Sequence, residues 1–159
     1  MRLLKLLLIL FAFAAGPAVA GPFEDGFAAV QKGDYATALR LWRPLAEQGG
    51  ADAQFNVGQM YRRGEGVPQD YAMAMFWFQK AADQGLPTAQ NAVGQMYYFG
   101  HGVPQDYVQA HMWFNLAAAN FPTKESRASA IKNRDTVAAK MTPAQIAEAQ
   151  KLAREWKPK

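Results

Sequence analysis

The chain contains no cysteine. That absence excludes disulfides, thiolate metal sites and a lipid anchor on an N-terminal cysteine, so side-chain packing alone has to hold the fold together. Histidine is nearly as scarce, with only His101 and His111, and a metal centre would want them joined by further ligands at converging positions. An apolar run of about 20 residues, the length that spans a bilayer, is also missing. The longest such run near the start, Leu6 to Ala15, is bounded by Lys5 and by Gly16-Pro17. Nor is there a large excess of one charge: beyond residue 20 the chain carries 15 basic and 13 acidic side chains, which does not point to nucleic acid.

What the N-terminus does have is the order of a secretory signal. Arg2 and Lys5 make a basic start, the apolar run follows, and Ala18-Val19-Ala20 places small residues where a signal peptidase reads. Cleavage after Ala20 is expected, so residues 1–20 form a signal peptide and the mature chain is periplasmic or secreted and does not span the membrane. An uncleaved anchor would need a longer apolar stretch than Lys5 and Pro17 allow. The remaining 139 residues amount to one domain by length.

Charge is unevenly placed along that domain. Residues 21–121 carry 6 basic and 9 acidic side chains, whereas residues 122–159 carry 9 basic and 4 acidic. A basic tail thus follows an acidic body. The tail either packs back onto the body by complementary charge, the simpler expectation, or associates with an anionic polymer of the cell envelope.

Internal repetition decides the fold. Ala53 to Gln84 matches Ala89 to Asn120, a shift of 36, at 19 of 32 positions. The shared residues include Ala-Gln at Ala53 and Ala89, Val-Gly-Gln-Met-Tyr at Val57 and Val93, Gly-Val-Pro-Gln-Asp-Tyr at Gly66 and Gly102, and Trp-Phe at Trp77 and Trp113. Applied backward, the same shift pairs Asp34-Tyr35 with Asp70-Tyr71 and Trp42 with Phe78, which indicates a degenerate earlier copy.

Each copy reads as two helices. From Ala53, Val57 and Tyr61 fall on one helical face, Gly64 and Gly66 supply residues tolerant of the left-handed conformation, and Pro68 blocks continuation. Asp70 suits an N-cap, and Ala74, Trp77, Phe78, Ala81 and Ala82 form the buried stripe of a second helix ending near Gly85. Gly58 and Gly94 sit within helices, where glycine costs on the order of 1 kcal/mol relative to alanine, so their recurrence predicts a neighbouring helix or ring in the space of the missing side chain. Trp77 should be covered by the next copy and Trp113 by whatever follows it. The C-terminal segment supplies that closure: a helix over Glu125 to Lys140 with Ala128, Ile131 and Ala138 inward, then a helix started by Thr142-Pro143-Ala144-Gln145, with Ile146, Ala149, Leu152, Ala153 and Trp156 on one face.

The pattern Ala-Gln-x-x-Val-Gly-x-Met-Tyr-x-x-Gly-x-Gly-Val-x-x-Asp, then Ala-x-x-Trp-Phe-x-x-Ala-Ala, closely resembles the Sel-one-like repeat, a relative of the tetratricopeptide repeat. The resemblance is strong over Ala53 to Asn120 and partial over Gly33 to Gly49. It implies an all-α fold, a right-handed α-solenoid of helix-turn-helix repeats, whose members mostly act as adaptors for other proteins. The organisation expected is a signal peptide at 1–20, a degenerate N-terminal repeat at 21–52, repeats at 53–88 and 89–121, and C-terminal capping helices at 122–159. Two departures stand out: Pro44 replaces the Lys80 of the next copy and should bend or shorten its helix, and Phe121-Pro122 ends the register.

Catalytic chemistry finds little support. Ser129-Ala-Ile-Lys132 has the Ser-x-x-Lys spacing of penicillin-recognising enzymes, but their Ser-Asp-Asn and Lys-Thr-Gly companions are absent. Asp106 lies near both histidines, yet its counterparts Asp34 and Asp70 recur without one, which fits helix capping better than metal ligation. The Trp-Phe pairs recur at the repeat period and belong to the core rather than to a sugar or base platform. No convergent acid, base or nucleophile set is legible, so no enzyme activity, cofactor or metal is expected. An envelope enzyme with an unrecognised site is the alternative.

A binding face can be placed instead. With Val57 at the centre of the buried side and about 100° per residue, Phe55, Gln59 and Arg62 fall opposite it, and their counterparts are Asn91, Gln95 and Tyr98. Tetratricopeptide-type stacks line their concave groove with the first helix of each pair, so the resemblance places these six side chains there, facing a protein or peptide ligand. Two glutamines one repeat apart suit the backbone of an extended peptide, with Arg62 adding charge and Tyr98 an aromatic anchor. The opposing account is that exposed helix positions simply drift.

Overall fold

The computed structural model describes residues 21–159, and the signal-like residues 1–20 lie outside them. Eight helices follow one another: α1 (Pro22–Gln31), α2 (Tyr35–Glu47), α3 (Ala51–Arg63), α4 (Tyr71–Asp83), α5 (Pro87–Phe99), α6 (Tyr107–Asn120), α7 (Lys124–Ala138) and α8 (Pro143–Glu155). Each of α1 to α6 packs against its successor, and α8 turns back onto α6. The result is an all-α solenoid of helix pairs with two capping helices.

Local chemistry sets the helix ends. Asp34, Asp70, Asp106, Thr123 and Thr142 each accept a hydrogen bond from a backbone N–H of the first turn, satisfying one of the donors a helix start leaves open. Thr142 and Gln145 complete a reciprocal capping box. Gly64 and Gly100 end α3 and α5 in the left-handed region, at φ 72° and 70°. The loop glycine that follows is fixed by crowding as well: a Cβ on Gly102 would lie 2.3 Å from the Tyr71 carbonyl oxygen of the preceding unit.

The core repeats one device. Phe78 lies across Gly58 and Phe114 across Gly94, where an added Cβ would meet ring carbons at 2.7 and 2.8 Å. Trp42 does the same at Gly26, with its indole N–H donating to the Phe23 carbonyl at 2.9 Å. Gly26 escapes a 36-residue register because the α1–α2 turn spans only residues 32–34, against 64–70 in the next unit. A second recurring device is the buried amide of the Ala-Gln pair. Gln54 donates to the Ala46 carbonyl of the preceding helix and accepts from Gln84, and Gln90 repeats the scheme with Ala82 and Asn120.

Three expectations need correction. Trp77 is not covered by the next unit: it lies in a cluster with Ala29 and Trp42 of the unit before it and Val57 and Met60 of its own, because its face of α4 looks toward the start of the stack. Trp113 does meet a following element, Trp156, edge-on at 6.1 Å. Pro44 does not shorten its helix: α2 has 13 residues, as α4 does, since the proline sits on an exposed side where a missing N–H leaves nothing buried unpaired. In α7 the fully buried residues are Ala130 and Val137, one heptad apart; Ile131 packs partly buried beside Ala130 as expected, while Ala128 is exposed. A helix so rich in polar residues gives two nearly equal apolar registers, and the fit against Phe114 and Ala117 selects between them.

Candidate protein-binding face

The first helices of the units, α1, α3, α5 and α7, share a face that no second layer closes among the described residues. Three cavities lie along it between consecutive first helices. One of about 170 Å³ is walled by Phe27 and Val30 of α1, Trp42 of α2, and Phe55 and Gln59 of α3. The next, about 460 Å³, lies between Arg62 and Arg63 of α3 and Gln95 and Phe99 of α5, with Tyr71 and His101 at its edge. The third, about 250 Å³, is bounded by Gln95, Tyr98 and Phe99 of α5 and by Asn133, Thr136 and Val137 of α7. Phe27 and Phe99 are exposed large aromatics on this face, at 44% and 60%.

All six residues singled out by the helical wheel are half-buried. Arg62 Nη1 donates to Gln95 Oε1 at 3.3 Å, so these two meet across the unit boundary. Gln59 has its Oε1 buried without a donor among the described residues. Phe55 leans against Phe78 at 5.6 Å between ring centres and belongs as much to the core as to the cavity wall. Asn91 accepts from Asn133 Nδ2 at 3.0 Å, which ties α5 to the α7 cap. Tyr98 stands against Tyr107, with Lys140 Nζ 5.7 Å above its ring. The wheel thus finds four side chains that line cavities with polar or aromatic groups, one that doubles as core, and one engaged by the cap.

It misses Arg63 and Phe99, equivalent positions that lie about 120° from the buried centre and still reach the cavities. Their exposure on α3 and α5 was within reach of the same wheel drawn wider. His101 lies in the connection between α5 and α6, where its ring stacks on Tyr71 at 4.5 Å and on Phe99 at 5.5 Å. His111 is buried in α6. Burial, then the nearby Arg134 charge, hold its pKa below the usual 6.5, against a smaller opposing pull from Asp135. Ser129 and Lys132 are both exposed on α7.

Electrostatically the middle cavity stands apart. Burial, and then the charge of Arg63, push the Arg62 guanidinium below its ordinary range, while Tyr71 pulls weakly the other way. Arg63 has Glu65 at 3.8 Å, and among the described residues no carboxylate lies within ion-pair distance of Arg62. At the other end of the chain the tail does return to the body: the Lys159 backbone N–H donates to the Asp83 carbonyl, and its Nζ lies 3.2 Å from the Asp83 carboxylate.

Known proteins place this architecture. The Sel1 repeat model matches residues 21–50, 51–86 and 87–120. A solved structure of a protective antigen present in uropathogenic Escherichia coli strains, displaying an SLR fold, is 33% identical over 85% of this chain with a TM-score of 0.78. The chain spans 29% of that protein's length. A Sel1 repeat protein from Oxalobacter formigenes is 32% identical over 70% of this chain and 86% of its own, with a TM-score of 0.60. No curated protein matches. Sel1-repeat folds commonly mediate protein–protein interaction, and no helix among the described residues is long and apolar enough to cross a membrane. Three tandem matches, the glycine-aromatic contacts repeated in each unit and two solved relatives agree that the chain belongs to the Sel1 repeat family.

Proposed function

We propose that this protein is an exported scaffold of the bacterial cell envelope that binds a segment of a partner protein along the face of α1, α3, α5 and α7. The observation that carries the reading is the run of three cavities on that face, bordered by the exposed aromatics Phe27 and Phe99 and by the linked pair Arg62 and Gln95. Their spacing follows the repeat, as a ligand laid along the stack requires. Core positions match between the second and third units, while Phe55 and Asn91, and Arg62 and Tyr98, differ. Such a pattern keeps the frame and varies what it presents. Aromatic and arginine side chains are also the usual anchors of protein interfaces.

Affinity capture from periplasm tests the reading. The partner retained by the wild-type protein should be lost or weakened with Gln59→Ala combined with Gln95→Ala, and with Arg62→Glu alone, at unchanged helicity and melting temperature. Full retention by these variants, with loss on neutralising the basic residues of α7 and α8, would move the site to the tail.

A further inference from the structure

Resting on the reading of this face as the binding surface, we propose that the cavity between α3 and α5 receives a carboxylate of the partner segment, bound by Arg62 and Gln95. Arg62 is half-buried, and among the described residues its guanidinium makes one hydrogen bond, to a neutral amide. A guanidinium withdrawn from water without a counter-ion is costly, and an incoming anion relieves that cost through charge-assisted hydrogen bonds. The Arg62–Gln95 contact uses the glutamine's oxygen, so among the described residues its Nε2 has no partner and keeps two donors. A planar guanidinium beside an amide N–H group matches the two oxygens of a carboxylate.

Two further features narrow the ligand. Glu65 shares the cavity wall with Arg63, which leaves room for a single negative charge but disfavours a dianionic phosphate. Phe99, exposed beside the same cavity, offers an apolar contact to the residue flanking the acid. The feature is particular to this junction of the stack, because the repeat equivalents of Arg62, Arg63 and Glu65 are Tyr98, Phe99 and His101. The occupant is therefore an extended peptide with an aspartate or glutamate next to an apolar side chain.

The test uses a random dodecapeptide display library selected on the purified protein, followed by titration of synthetic peptides. Selected sequences should carry an acid next to an apolar residue. Changing that acid to its amide should weaken binding to the wild-type protein by about tenfold or more, the range of a charge-assisted contact. The same change should have little effect on Arg62→Gln protein, whose melting temperature serves as the folding control. Peptides that bind equally well as acid or amide, yet are weakened by Phe99→Ala or Gln59→Ala, would overturn the carboxylate site and leave the binding face standing. Tighter binding of a phosphoserine peptide than of the acid would also overturn it. Binding indifferent to every one of these substitutions would remove the binding face as well.

Discussion

The contact of an aromatic ring with a bare glycine backbone, at Gly26, Gly58 and Gly94, fixes how closely the two helices of each unit approach. Helix propensity alone favours replacing Gly94 by alanine, by on the order of 1 kcal/mol. The new methyl group would meet the Phe114 ring at 2.8 Å, and overpacking of that kind costs about 1–3 kcal/mol. Gly94→Ala is therefore expected to lower stability, read as a reduced urea midpoint, and a raised midpoint would show that the ring moves aside easily. Gln90 is equally committed, being fully buried between the Ala82 carbonyl and Asn120. Gln90→Leu keeps the volume but removes both hydrogen bonds; the Ala82 carbonyl keeps its bond from the Gly85 N–H and Asn120 lies at the surface, so the expected cost is about 0.5–1.5 kcal/mol, read as a lowered urea midpoint. The glycines were legible in the sequence because a helix interior disfavours them and the repeat retains two. The glutamines recur just as faithfully, but nothing local to their own helix calls for them, since their partners lie on the flanking helices. For the same reason Arg62 and Gln95 could be placed on one side of the stack, whereas the hydrogen bond joining them depends on how two units are set against each other.

Helix existence and order followed from periodicity and punctuation: capping aspartates, left-handed glycines and prolines fall where the chain turns. The cap was less legible. Helix α7 has a weak apolar stripe, and its inward register is set by what α6 offers rather than by its own sequence. Helix α8 carries a clearer face, with Ala149, Leu152, Ala153 and Trp156 joining the cluster that holds Phe78, Met112 and Trp113. Truncation after Met141 removes that cover and exposes a contiguous apolar patch. The expected result is aggregation or a fall in melting temperature on the order of 10 °C, the equivalent of a few kcal/mol in a domain of this size. The packing of α6 against α7 should also respond to pH. Buried His111 has its pKa held below 6.5, so the unfolded chain binds a proton more readily than the folded one as pH falls through that value. Stability linked to this group is present above about pH 6.5 and declines below it. His111→Gln should flatten the difference in urea midpoint between pH 7.5 and 5.5, and an unchanged difference would assign the effect to other groups.

At the scale of the molecule, each unit depends on its neighbours: Trp77 is buried in a cluster shared between its own unit and the one before it, and Gly66 and Gly102 press on the backbone of the preceding helix pair. An array of this kind is closed at its end by a unit that does not repeat, as α7 and α8 do here. In the first described helix, α1, Phe23 and Phe27 pack around Trp42, and that helix has Gly21 at its N-cap and Pro22 at its start. The cleavage expected after Ala20 would therefore leave the first helix whole, with its N-cap as the new terminus. A proline at the first helical position needs no N–H partner, and the acidic pair Glu24 and Asp25 in the first turn would sit against the new α-amino group and the positive end of the helix. Cleavage a few residues later would instead remove Pro22 and Phe23, and with Phe23 the carbonyl that accepts from the Trp42 indole. The export proposal thus predicts one mature form rather than a ladder. Intact-mass measurement on protein recovered from the periplasm should give the mass of residues 21–159. A mass that retains residues 1–20 would make the segment an anchor, and a mature start beyond Phe23 would mean that the first unit is held together by something other than the contact between Phe23 and Trp42.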